Sequence, residues 1–329
     1  MVKNNDYEKY ISFLKKSLID KDLNATNSRY FINSMNYLSS NHLFKNNFNN
    51  IEVKILFNHL KELKKDKINF LPDILLKYKS EILKHKKEYI RIIPTPLKTE
   101  ILKDPLDFKQ SKLLGIPFIP KEVKYPKDNS GNYMLHLIQL NFEEIPNLKG
   151  YPEKGILQLY FSPDNWYNPI KGNYKVLFFD EDQLNQEHLT DFSFINKLQY
   201  EYTPIYRIHK LDFEKAFDYG NFYDRQFGLK LDNKSPYSFV EELNDKNKGD
   251  CQLFFSDNEH KIGGYSEFVQ DDPREIENSG TYNSDKQLLQ LNIDKYIVFG
   301  DNGIVHLFIT ENNFNNKDFG KAYFHWDCG

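Results

Sequence analysis

The chain has 329 residues, 40 % of them hydrophobic, and a formal net charge of -3 at pH 7. Its two cysteines are too few for a disulfide framework, and its amino terminus lacks the apolar run of a secretory signal. No stretch approaches the roughly 20 apolar residues that cross a bilayer. The composition therefore excludes a disulfide-rich scaffold and a helical membrane protein, and it predicts a cytoplasmic protein of two folded domains.

Charge is distributed unevenly along the chain. Residues 1–100 hold 19 Lys and Arg against 11 Asp and Glu, whereas the remainder holds 25 against 36. The front part is thus net basic and the back part net acidic. A basic segment can follow phosphates and an acidic body can meet a basic partner, but solubility and attraction between the two parts explain the same pattern.

Helical spacing characterises residues 6–89. Apolar side chains recur there at intervals of three and four, which places each set on one face of a helix. The sets are Tyr7, Tyr10, Ile11 and Leu14; Phe31, Met35 and Leu38; Ile55, Leu56, Leu60 and Leu63; Ile74, Leu75 and Ile82. Helix starts are indicated at residues 24–27 and 72–73. The pattern predicts four helices in an N-terminal helical bundle over residues 1–94, and the prolines at 94 and 96 mark the boundary.

Sheet signals dominate residues 95–329. Short β-rich runs bounded by Gly, Pro, Asn or Asp predict strands at 135–142, 155–161, 174–179, 252–255, 288–293, 296–299 and 304–309. Short helices are predicted at 183–189, 212–217 and 238–243. Because loops rather than regular helices join most of these strands, we predict an α+β domain with mostly antiparallel pairing.

A three-block motif occurs twice in this second part. Residues 112–115, 137–142 and 155–161 return in the same order as residues 261–264, 288–293 and 303–309. Lys112 and Gln139 are 27 positions apart, and Lys261 and Gln290 are 29 apart. We therefore predict a duplicated domain, with internal repeats at about residues 110–166 and 259–314.

Four amide side chains occupy the same face of the repeated strand. Since side chains alternate along a strand, Gln139, Asn141, Gln290 and Asn292 point away from the apolar residues between them. A groove between duplicated halves commonly receives a ligand or partner, so these residues are predicted to line a binding groove. The alternative is that they only satisfy neighbouring backbone groups or face water.

Six blocks of sequence, several of them within the repeated motif, are similar to those of a known family. They lie at residues 114–120, 137–141, 155–160, 262–265 with 269–274, 300–303 and 326–328. Together they resemble the YwqG-like family of bacterial proteins, a domain of unknown function, over about residues 95–329. The resemblance implies an α+β fold with antiparallel sheets in a duplicated arrangement and a cytoplasmic location, and it implies no activity. The chain departs from the family at Tyr265-Ser266, where Pro is common, and residues 1–90 lie outside the resemblance.

One acidic cluster could carry chemistry if the loops of the second repeat and the end of the chain converge. Carboxylates with a histidine can hold a metal or act as acid and base, and a thiol can attack a carbonyl. The candidates are Asp271, Asp272, Arg274, Asp301, His325, Asp327 and Cys328, with His325 and Asp327 as weak metal ligands. Residues 301–303 are more simply explained as a turn between strands, and residues 272–274 as a turn whose Arg pairs with a nearby carboxylate.

These patterns predict a non-enzymatic binding module for a protein partner, of which an immunity-like role near toxin systems is a narrower form. No cofactor is expected, and the repeated scaffold comes without a convincing catalytic set. One alternative is a metal-assisted hydrolase that uses the acidic cluster. A second is nucleic-acid binding through the basic helices, which is disfavoured because that part has only two arginines, Arg29 and Arg91.

Overall fold

The computed structural model describes residues 4–19, 30–31, 34–35, 37–39, 42–100, 102–168, 170–195, 203–256, 259–275 and 286–329. The chain divides into two compact units. The first, here called the helical unit, comprises Met1–Lys87, Ala216–Phe222 and Gly228–Asp257. The second, the sheet unit, comprises Glu88–Lys215, Tyr223–Phe227 and Asn258–Gly329.

Helices occur in both units. The α-helices in chain order are α1 (Asn4–Ser17), α2 (Phe44–Asn47), α3 (Asn50–Lys64), α4 (Lys79–Lys84), α5 (Glu181–Leu184), α6 (Pro236–Glu241), α7 (Asp245–Phe255) and α8 (Glu311–Asn315). Short 3-10 helices lie at Lys67–Phe70, Asp73–Tyr78, Phe142–Glu144, Pro273–Glu275 and Phe319–Lys321.

The helical unit buries some of the apolar residues that the three-four spacing selects, whereas Ile55 from these sets is 41 % exposed. Its core cluster contains Leu14, Phe31, Met35, Leu38, Phe48, Leu56 and Leu60. Helix α3 begins with a capping box, in which the Asn49 side chain accepts from the Glu52 backbone and Glu52 returns a contact to the Asn49 amide. The helix start indicated at residues 24–27 lies outside the described residues.

A ten-stranded sheet organises the sheet unit. Its strands are β1 (Lys87–Pro96), β2 (Lys112–Leu113), β3 (Leu135–Asn141), β4 (Ile156–Phe161), β5 (Tyr174–Phe179), β6 (His209–Asp218), β7 (His260–Gly263), β8 (Lys286–Leu291), β9 (Ile304–Ile309) and β10 (Tyr323–Asp327). The order across the sheet is β10-β9-β8-β7-β1-β6-β2-β3-β4-β5. Pairs with a described register are antiparallel, as in β3 with β4 and β8 with β9. The predicted combination of helices with a large antiparallel sheet is therefore observed.

Both ends of this sheet have the same local geometry. Lys112 faces Gln139 across β2 and β3, and Lys261 faces Gln290 across β7 and β8. The register of β3 against β4 shifts between His136 and Ile138, and that of β8 against β9 shifts between Gln287 and Leu289. In each copy the shift falls between the residue three positions before the repeated glutamine and the residue one position before it.

Several element predictions are wrong. Residues 212–217, predicted as a helix, lie in β6, because pairing with neighbouring strands overrides a helix-favouring composition. Residues 252–255, predicted as a strand, end helix α7, since a short apolar run does not distinguish the two structures. Residues 296–299 form only isolated bridges, and the prolines at 94 and 96, predicted to separate the two parts, lie within β1.

Burial explains why β3, β4, β8 and β9 read as apolar runs. Every residue of β3, β4 and β9 is buried, so both faces of these strands are covered. The sheet also brings its two terminal strands together, because the rings of Tyr174 in β5 and Phe324 in β10 lie 5.7 Å apart. Within the described ranges, no helix has the length and hydropathy needed to span a membrane.

Alanine at either glycine that opens the repeated third block is expected to lower the free energy of unfolding by about 1–3 kcal/mol. Gly155 has φ +103, and a Cβ there would lie 2.9 Å from the Phe179 carbonyl oxygen. At Gly303 a Cβ would lie 2.7 Å from the Asp327 carbonyl oxygen. Urea unfolding followed by tryptophan fluorescence measures the change. Gly320→Ala is the control, since a Cβ there meets nothing closer than 3.9 Å, and an equal loss in all three variants would contradict the prediction.

Candidate functional site

The four amides predicted to line a groove are buried in the sheet unit. Gln139 Oε1 accepts from the Phe118 amide at 2.9 Å, and its Nε2 donates to the carbonyl oxygens of Phe108 and Gln110. Gln290 Oε1 accepts from the Glu267 amide at 2.9 Å, and its Nε2 donates to the Glu259 carbonyl oxygen. Buried amides engaged with the backbone in this way do not line an open groove in this structure.

The bonds of these two glutamines correspond position by position. Phe118 and Glu267 each follow the repeated lysine by six residues, while Gln110 and Glu259 each precede it by two. The backbone amides of Asn141 and Asn292 are matched as well, because each donates a hydrogen bond to the side chain just before that lysine, Ser111 Oγ or His260 Nδ1. In both copies, therefore, polar side chains hydrogen-bond the sheet to the segment that follows the repeated lysine. This segment, residues 114–120 in the first copy and 264–274 in the second, is here called the covering segment.

Asp272 and Arg274 form a buried ion cluster together with Asp224. Arg274 Nε lies 2.9 Å from Asp272 Oδ1, and Arg274 Nη2 lies 2.7 Å from Asp272 Oδ2 and 3.2 Å from Asp224 Oδ1. All three side chains are about 1 % exposed. Asp272 also accepts from the Arg225 amide, and Asp224 from the Ser266 amide. The bidentate contact between Arg274 and Asp272 fixes the covering segment in place. The carboxylates of Asp272 and Asp224 are therefore engaged in contacts within the protein.

The end of the chain converges on the same covering segment. Asp327 Oδ2 accepts from the amides of Val269 and Gln270 at 2.7 and 2.8 Å, while its buried Oδ1 accepts no hydrogen bond from another described residue. Burial raises the pKa of Asp327, an effect that the two amides oppose. Gln270 Nε2 in turn donates to the Cys328 carbonyl oxygen. The Asp327 side chain thus links β10 to residues 269–270 through two hydrogen bonds.

His325 lies beside His306 on the neighbouring strand. The two residues are directly paired, and their rings stack 6.2 Å apart. Burial lowers the pKa of His325 to about 4, although the Asp272 carboxylate opposes this shift. Burial also lowers the pKa of His260 to about 4 and that of His136 to about 3. These imidazoles are therefore neutral at pH 7.

The remaining candidates lie at the edge of this region. Asp271 and Asp301 are exposed, and residues 301–302 form a turn in which Asn302 has φ +59. The Gly329 amide donates to the Asp301 carbonyl oxygen, and the free thiol of Cys328 is partly buried. In the described part of the chain, no three His, Cys, Asp or Glu side chains are grouped so that they could hold a metal ion.

An open aromatic cleft adjoins the chain end, and the sequence analysis did not identify it. Its volume is about 620 Å³, and it is lined by Pro163, Asp164, Trp166, Tyr167, Thr203, Pro204, Tyr206, Val298 and Gly300. Tyr167 and Tyr206 are 56 % and 53 % exposed. A Cβ on Gly300 would lie 2.8 Å from the Trp326 ring and 3.2 Å from Cys328 Sγ, so the cleft floor packs on the chain end.

Both tryptophans of the chain belong to this cleft or its support. The rings of Trp166 and Trp326 lie 5.3 Å apart, and Trp166 packs edge-on against Phe299. Trp326 Nε1 donates to the Tyr167 carbonyl oxygen at 2.8 Å. This hydrogen bond fixes the loop that carries Trp166 and Tyr167. The scarcity of tryptophan, two residues in 329, is the signal that could have directed attention here.

A comparison with protein families matches residues 111–328 to a domain of unknown function, DUF1963. The chain belongs to this family. Membership of DUF1963 supports the resemblance noted from the sequence at the level of a domain of unknown function. A comparison of this DUF1963 chain with curated proteins finds no match. The matched region contains the repeated blocks, the ion cluster and the aromatic cleft.

Replacing Arg274 by methionine is expected to lower the free energy of unfolding by about 3–5 kcal/mol, because it leaves two buried carboxylates without their cation. Urea unfolding measures the loss. Arg207→Met is the matched control, since Arg207 is exposed, and it should change stability little. Equal stability of the Arg274 variant and the unmodified protein would show that the cluster contributes nothing net.

Stability is expected to fall as the pH drops from 6.5 towards 4, and His325→Gln should reduce this dependence. Within that window the unfolded chain binds the imidazole proton while the folded protein, with a His325 pKa of about 4, does not. The variant should lose about 1–2 kcal/mol less between pH 7 and pH 5 than the unmodified protein does. Denaturant unfolding at both pH values measures the difference. Gln186→Ala, an exposed amide change, should leave the slope unaltered.

Proposed function

We propose that this DUF1963 protein is a non-enzymatic binding module that receives a protein partner in the aromatic cleft. The exposure of Tyr167 and Tyr206 around Trp166 carries the proposal. Tryptophan and tyrosine supply large contact area at little cost in side-chain entropy, and they dominate the binding energy of many interfaces. A wall of aromatic and proline side chains suits an apolar anchor from the partner.

Charge favours a basic partner. Asp164 is the charged residue among those lining the cleft, and residues 101–329 carry 36 acidic against 25 basic side chains. A partner segment with an apolar side chain flanked by Lys or Arg complements this surface in shape and charge. Such complementarity raises the association rate and selects against acidic partners.

The scaffold that presents the cleft is, in this proposal, an internally duplicated one. Support comes from the matched glutamine bonds, the matched register shifts, and the positive φ of Leu114-Gly115 and Gly263-Gly264 at equivalent positions. One half supplies the Trp166 loop and the other supplies Val298 and Gly300. The cleft is thus lined from both repeats, while Tyr206 comes from the segment between them.

The helical unit, in this proposal, is a bundle that adds a second binding surface. The sheet unit belongs, more narrowly, to the YwqG-like family. The protein works in the cytoplasm, which suits a chain with only two cysteines, Cys251 and Cys328. An immunity-like role is one form of partner binding. It would require a partner from a toxin system.

Affinity capture with the full chain tests the proposal. Tyr206→Ala and Tyr167→Ala are expected to lose a partner that the unmodified protein retains, with Kd raised about tenfold or more for the purified pair. Both side chains are over half exposed, so the variants should fold normally. Tyr237→Ala is the matched control, because this tyrosine is 48 % exposed in the helical unit.

Retention of the partner by the Tyr206 and Tyr167 variants, at the affinity of the control, would refute the cleft as the binding site. Turnover of a substrate by the purified protein, lost in Asp327→Ala but kept in Tyr206→Ala, would instead support the enzyme alternative. The two results differ in which variant changes.

A further inference from the structure

A second cavity, here called the lysine pocket, lies where the two terminal strands of the sheet approach each other. Its volume is about 630 Å³. Its walls come from residues 127–134, the start of β5 and residues 320–322 before β10. Tyr174 stands between these walls, with its ring 6.5 Å from that of Tyr323.

Four lysines surround this pocket without an internal counter-charge. They are Lys127, Lys171, Lys175 and Lys321, all exposed, and no Asp or Glu is among the described residues that line the cavity. Within the described ranges, none of the four ammonium groups forms an ion pair. Some surface lysines of the sheet unit are paired, since Lys154 pairs with Glu181 at 2.6 Å and Lys210 with Asp212 at 2.8 Å. The lysine pocket differs in that four lysines, unpaired in the part of the chain that the structure describes, surround one cavity.

The nearest carboxylate in the sequence is already occupied. Asp128 Oδ1 accepts from the amides of Ser130 and Asn132, and Asp128 Oδ2 accepts from Ser162 Oγ at 2.8 Å. Asp128 therefore shapes the loop that carries Lys127 and Asn129. Asn129 in turn packs on Gly172, whose φ is +103, and this contact joins the loop to the start of β5.

A neighbouring cavity extends the pocket with an aromatic wall. It has a volume of about 670 Å³ and shares Lys127 and Lys175 with the lysine pocket. Its lining also includes the rings of Tyr125, Tyr133 and Phe194 and three charged side chains, Lys121, Glu122 and Lys124. Lys127 Nζ lies 4.3 Å from the centre of the Tyr133 ring. Lysine side chains thus lie beside aromatic rings, an arrangement that suits a ligand with an anionic end and a ring.

We propose that the lysine pocket binds a small organic polyphosphate, such as a nucleotide, with its phosphates among the four lysines and its ring against the aromatic wall. Four like charges repel one another across the pocket, and a bound anion converts this repulsion into attraction. The volume matches a small ligand. A long nucleic acid is disfavoured, because the acidic excess of residues 101–329 repels a strand that extends beyond the pocket.

Isothermal titration of the full-length protein with ATP, tripolyphosphate and adenosine tests the proposal. ATP should bind more tightly than tripolyphosphate, adenosine should bind weakly, and affinity for ATP should fall as salt rises from about 0.05 M to about 0.5 M. Lys171→Glu and Lys175→Glu should each weaken ATP binding about tenfold or more. Lys149→Glu is the matched control, because Lys149 is exposed in the same unit but does not line either cavity.

Three outcomes would overturn the proposal. ATP and tripolyphosphate could fail to bind at millimolar concentration, the Lys149 variant could weaken binding as much as the pocket variants, or a single-stranded oligonucleotide could bind far more tightly than ATP. Thermal unfolding of each variant verifies its fold. Tyr206→Ala should bind ATP as the unmodified protein does, so this site and the aromatic cleft are tested independently.

Discussion

The sheet unit depends on the need to satisfy polar groups inside a sheet that is covered on both faces. Strands β3, β4 and β9 are buried along their whole length, so the segments that cover them bury backbone amides and carbonyls of their own. An unpaired buried group costs about 1–3 kcal/mol. Gln139 and Gln290 meet this need in the same way, since each accepts from one covering amide and donates to a carbonyl beside the repeated lysine.

The need to pair buried polar groups also explains why the side chains best suited to acid–base or metal chemistry have structural roles in this fold. Arg274 and Asp272 hold a covering segment in one half, and the buried Lys112 holds another through Asp104 at 2.9 Å. Asp327 engages two backbone amides. Exposed side chains face open volumes instead at the aromatic cleft and the lysine pocket.

Local patterns predicted the parts of the fold that repeat a local rule. Strands β3, β4, β5, β8 and β9 alternate or run apolar between turn residues, and α1 and α3 keep the three-four spacing, so their type was readable. Strand β6 was not, because its residues 212–217 favour a helix locally and become a strand only through pairing with distant neighbours. Strand β10 at the chain end lacked any such signal as well. Of the candidate site, the local patterns left open whether the loops of the second repeat and the chain end converge, because that depends on tertiary packing. The cleft around Trp166 was not predicted.

The sequence by itself determined the basic front and acidic back, the repeated blocks, and the apolar spacing of most strands and helices, because these are properties of neighbouring residues. Tertiary structure alone decided that Gln139 and Gln290 turn inward to the covering segments. It also brought Trp166 to Trp326 and Lys127 to Lys321, pairs that are more than 150 positions apart. Contacts of that kind depend on the order of strands across the sheet, and strand order is set by the packing of the whole unit rather than by any local pattern.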